Sequence, residues 1–84
     1  MAVRAQDPNV LAATRGYVVA DSRGRIVGRV DEISVPEDAA PRLTVRGRLP
    51  WSRTRIVTTS DIDAVDPGNE VIALRVDRDE LRRP

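Results

Sequence analysis

Apolar residues in this chain never run more than four together, and most stand singly or in pairs among turn-forming residues. That pattern most constrains the fold. A membrane-spanning helix needs about twenty consecutive apolar residues, and none is available. Short stretches of branched aliphatics punctuated by Gly, Pro, Asp and Asn read instead as short strands and tight turns. The 84 residues leave room for one small domain.

The reading is sharpest from Gly16 onward. Residues 17–20 are β-rich, and Asp21-Ser22-Arg23-Gly24 reads as a tight turn. Residues 25–35 return as a second strand, in which neither parity is cleanly apolar. A bulge at Gly28 would move the buried face from Val27 to Val30, and a second irregularity would then admit Ile33. Residues 36–41 form a loop bounded by two prolines. In 42–49, Leu43 and Val45 alternate with Arg42, Thr44, Arg46 and Arg48, the pattern of a half-buried strand with an arginine-lined outer face. Residues 50–53 turn, and 54–58 form a fourth strand around Ile56 and Val57.

The capping-box spacing of Ser60 and Asp63 predicts a helical turn near 61–65 that carries Ile62 and Val65 inward. Asp66-Pro67-Gly68-Asn69 is a strong turn, residues 70–76 are the last strand, and 77–83 order acids before arginines, as a terminal helical turn near 78–83 requires. Gly16, Asp21, Gly24, Gly28, Pro67 and Gly68 are thus the expected turn and bulge residues. Residues 1–15 are an N-terminal arm or a short helix from Pro8 to Ala13 capped by Asp7, and 16–84 are the domain proper. The expected fold is all-β: a small SH3-like barrel, closed or partly open, of five to six short strands. Its expected core is Val19, Val27, Val30, Ile33, Leu43, Val45, Ile56, Ile62, Val65, Ile72, Leu74 and Val76.

The stretch Gly16-x-x-Val19-x-Asp21-x-x-Gly24-x-x-Val27-Gly28-x-Val30-x-x-Ile33 resembles the opening of the PRC-barrel domain. The later Ile56-Val57, Ser60-Asp61-Ile62 and the strand through Val76 are similar to it as well. This family is named for the photosynthetic reaction centre, and its barrel is also the C-terminal domain of a bacterial ribosome maturation factor. The resemblance covers residues 16–84. It implies a compact barrel serving as an adaptor or docking module, and it carries over no catalytic residue.

The chemical inventory is short. There is no cysteine and no histidine, and all fourteen basic residues are arginine. Thiolate chemistry, sulfur-ligated zinc, lysine Schiff bases and histidine-activated serines are therefore unavailable. Turn and cap formation accounts for Asp61 and Asp66 without a cation, and the EF-hand spacing is missing. The expectation is a non-enzyme with no metal and no cofactor. The opening residues lack the apolar stretch of an export signal, which points to the cytoplasm.

Net charge is +1, but the distribution is uneven: residues 42–55 hold five arginines and no acid, whereas 61–80 hold seven acids and two arginines. Such blocks either face each other across neighbouring strands or face a partner. The partner-binding candidates are Arg46, Arg48, Trp51, Arg53 and Arg55. Guanidinium groups beside an indole suit a protein interface or an RNA surface; the same residues also suit a solvated strand face with Trp51 folded over the barrel end. The near-neutral total weighs against nucleic acid. The expected function is protein–protein docking with self-association as a homodimer, and the alternative is an RNA- or ribosome-associated factor using the arginine-rich strand.

Overall fold

The computed structural model describes residues 8–49 and 52–81. A short helix α1 (Pro8–Ala12) precedes six strands: β1 (Val18–Ala20), β2 (Ile26–Ser34), β3 (Arg42–Arg46), β4 (Thr54–Thr58), β5 (Ile62–Asp66) and β6 (Val71–Leu74). One 3₁₀ turn (Thr59–Asp61) joins β4 to β5, and a second (Arg78–Glu80) follows β6. The sheet order is β4-β3-β2-β1-β6-β5, with β1 and β6 parallel and the remaining pairs antiparallel. The sheet curls into a half-barrel, so the chain is mostly β, as expected.

Two bulges bend β2. Val19 pairs with Gly28 and Ala20 with Ile26, which leaves Val27 as the extra residue. Val30 pairs with Val45 and Glu32 with Thr44, which leaves Asp31 as the second. Because side chains alternate along a strand, each extra residue switches the inward face. Val27 and Val30 are consequently both buried, and Ile33 is half-buried against the core. Gly28 sits where β3 crosses: a Cβ there would lie 2.0 Å from the Arg46 carbonyl oxygen, so the crossing tolerates no side chain.

The core is Leu11, Val19, Val27, Val30, Leu43, Val45, Val57, Ile62, Val65, Ile72, Leu74 and Leu81. Ile56 is not in it. Val57 pairs with Leu43 and Arg55 with Val45, so these two share the buried face of β3, while Ile56 pairs with Thr44 on the outer face. Val76, like Ile33, is only partly buried. Leu11 and Leu81 enter instead, from α1 and from the end of the second 3₁₀ turn. The last turn of α1 is closed by the Thr14 hydroxyl, which donates to the Leu11 carbonyl at 2.7 Å. Asp7, the expected cap of this helix, lies outside the described residues.

The helical turn expected near 61–65 is displaced. Its 3₁₀ turn covers Thr59–Asp61, and the residues that follow are strand β5. Ile62 and Val65, three apart, both point inward because Asp63 is bulged out: Ile62 pairs with Leu74, but Ala64 with Ala73. The capping carboxylate is Asp61, which accepts from the Thr58 amide at 3.0 Å, in place of the expected Ser60–Asp63 pair. Asp66 builds the β5–β6 turn around Pro67 by accepting from the amides of Gly68 and Asn69. The terminal 3₁₀ turn is capped by Asp77, which accepts from the Asp79 amide at 3.1 Å.

Candidate interaction surface

The loop between β3 and β4 folds back tightly. A Cβ on Gly47 would come within 2.2 Å of the Ser52 Cβ, so this position too has no space for a side chain. Across the loop the Ser52 hydroxyl accepts from the Leu49 amide at 3.2 Å, and the Ser52 amide donates to the Leu49 carbonyl at 2.9 Å. The fold-back brings Arg48, Leu49 and Arg53 over the end of the barrel where β2 begins. There they line an open groove of about 800 Å³ with Ile26, Val27, Ser52, Arg55 and Arg78. The barrel interior is filled by aliphatic side chains, and this space lies at its rim.

Four guanidinium-bearing side chains thus surround aliphatic carbon. Arg48 and Arg53 are exposed, Arg55 and Arg78 half-buried. Ile26 and Leu49 keep 41% and 50% of their surface in contact with solvent. Among the described residues, the ion pairs involve Arg23, Arg25 and Arg46, and none of the four groove arginines.

Arg48 joins the sequence candidates, lining the groove with Arg53 and Arg55 and a neighbouring hollow with Arg46. Arg46 belongs to the outer face, where its guanidinium pairs with Asp31 at 3.2 Å. Trp51 lies outside the described residues. The basic and acidic blocks do not face each other as paired strands, since β3–β4 and β5–β6 stand at opposite ends of the sheet order. Among the described residues, the acids Asp77 and Asp79 pair instead with Arg23 and Arg25 and not with the groove arginines.

Arg78, which the strand pattern missed, is brought to the groove by Asp21. This carboxylate is almost fully buried. Its oxygens accept from the amides of Arg23 (3.0 Å), Arg25 (2.8 Å) and Arg78 (3.1 Å) and from the Arg25 Nε (3.0 Å). Burial pushes its pKa upward, but the three backbone donors and the Arg25 guanidinium outweigh that and hold it down at about 2. Arg25 extends the clamp by pairing also with Asp77. The β1–β2 turn and the second 3₁₀ turn are therefore one polar unit, and Arg78 projects from it.

The sequence matches no protein-family model and no curated protein. Among solved structures, the chain is similar to a Pseudomonas aeruginosa protein described as the 16S ribosomal RNA processing protein RimM. The TM-score is 0.67 at 17% identity, over 92% of this chain and 47% of that one. The likeness lies in the fold, and this chain spans about half the length of that protein. No helix among the described residues is long and apolar enough to cross a membrane.

Proposed function

We propose that this chain is a PRC-barrel-like docking module of the cytoplasm, without a catalytic role, that holds a protein partner in the arginine-rimmed groove. One observation carries the reading: four arginines that take no part in the ion pairs of the described residues surround exposed Ile26 and Leu49. An apolar floor gains from burial, and unpaired guanidinium groups gain from carboxylates that meet them bidentately. A protein segment offers both kinds of group at once. Arginine and large apolar side chains are also the residues that dominate protein interfaces.

The RNA reading has one observation in its favour, the fold shared with a protein described as processing ribosomal RNA. Against it stands the net charge of +1, where nucleic-acid binders carry a clear basic excess. Capture from native extract separates the two. The wild-type chain is expected to retain a protein after nuclease treatment, and the exposed-site variant Arg48→Glu/Arg53→Glu to lose it. Loss of the captured material on nuclease treatment identifies RNA instead. So does a binding constant that falls with salt at a logarithmic slope of roughly −3, the value for about four phosphate contacts on a single strand.

A further inference from the structure

Three large apolar side chains are conspicuously exposed among the described residues: Ile26, Leu49 and Val35. The first two are in the basic groove. The third, 45% exposed, begins the β2–β3 loop and is followed by Pro36, Glu37 and Asp38, with both acids exposed. Loop 35–41 contains no basic residue, and among the described residues neither Glu37 nor Asp38 takes part in an ion pair. The chain thus displays an aliphatic side chain beside two carboxylates at one place, and an aliphatic floor among unpaired arginines at another.

We infer that the occupant of the groove is a second copy of this chain, which inserts residues 35–38. The inference rests on the docking reading above and names its partner. In the folded chain, loop 35–41 does not line the groove. The nine residues of β2 stand between Ile26 and the loop, a strand length of at most about 25–30 Å at ~3.3 Å per residue. Two copies laid antiparallel along β2 and β3 place each loop at the other's groove. The result is a closed two-fold dimer with two equivalent contacts and no tendency to grow into a filament. Val35 covers Ile26 and Leu49, and Glu37 and Asp38 meet Arg48 and Arg53. Opposite charges across the contact fix the antiparallel orientation and repel a parallel one.

A charge exchange tests this on the full chain. One variant carries Arg48→Glu/Arg53→Glu and the other Glu37→Arg/Asp38→Arg; all four positions are exposed, so both variants are expected to keep the wild-type melting temperature. In sedimentation equilibrium from micromolar to millimolar concentration, the wild-type chain is expected to dimerise. Each variant alone is expected to associate at least about tenfold more weakly. An equimolar mixture of the two is expected to recover the wild-type affinity, because in that heterodimer both contacts again join opposite charges. A mixture no tighter than either variant alone overturns the inference. A wild-type chain monomeric at millimolar concentration also overturns it; if extract capture still depends on Arg48 and Arg53, the docking reading stands without it, and if capture is indifferent to those residues, both fall.

Discussion

Asp21 is a buried carboxylate with four hydrogen-bond donors directed at it. Its contribution to stability depends on pH with a definite sign. The folded-state pKa is about 2 against an ordinary 3.8. The contribution is therefore complete above the ordinary value and is lost as pH falls from 3.8 through about 2. The melting-temperature gap between wild type and Asp21→Asn is expected to stay constant above pH 4 and to narrow across that interval. A gap that opens on acidification would contradict the clamp. At neutral pH, Asp21→Ala leaves three amides without their acceptor and is expected to lower the melting temperature by on the order of 10 °C. Gly28 is a second single-residue constraint, of space instead of charge. A methyl group 2.0 Å from the Arg46 carbonyl must force β2 and β3 apart. Gly28→Ala is expected to cost about 2–3 kcal/mol or more in denaturant titration. A cost below about 0.5 kcal/mol would show that the crossing is looser than described.

At the scale of elements, strand β4 makes the plainest test of which face is which. Val57→Ala opens a hole in the core and is expected to cost about 2–3 kcal/mol, and Ile56→Ala on the outer face less than about 1.5 kcal/mol. The reverse order would mean that β4 is out of register by one residue. The sequence alone could not make this choice, because two adjacent branched aliphatics satisfy either parity until pairing with Leu43 decides. The bulges of β2 were legible for the opposite reason: with Val27, Val30 and Ile33 all apolar, simple alternation fails and Gly28 marks where it fails. Strand β5 was hidden, because Ile62 and Val65 have the three-residue spacing of a helical turn and the bulge at Asp63 leaves no mark of its own. Leu81 was hidden as an isolated leucine, and Leu11 because a helix of five residues is too short to show a buried face; tertiary packing buries both. At the groove, Arg48, Arg53 and Arg55 were legible as an acid-free arginine run. Arg78 was not, since it arrives through an amide bonded to a carboxylate 57 positions away. The β5–β6 turn adds one more expectation. Glu70 holds a left-handed φ of 55°, so Glu70→Gly is expected to raise stability by up to about 1 kcal/mol, the relief exceeding the entropy glycine adds to the unfolded chain. A loss of stability on that substitution would mean that the Glu70 side chain contributes more than its backbone strain costs.

At the scale of the whole molecule, a net charge of +1 conceals a strongly polar distribution. The interior is aliphatic and filled, Asp21 and Arg25 tie the β1–β2 turn to the second 3₁₀ turn, and four arginines outside the ion pairs of the described residues share one rim with exposed Ile26 and Leu49. In the docking proposed above, the partner sits in the groove at that rim. Site-specific photo-crosslinking in the native cell measures this most directly, with the reactive side chain placed at Leu49 in the groove or at Asn69 in the β5–β6 turn, both exposed. Protein adducts are expected from position 49 and not from 69, and the added substitution Arg48→Glu/Arg53→Glu is expected to abolish them. Adducts from position 69 alone, or equal yields from both positions, would contradict docking in the groove.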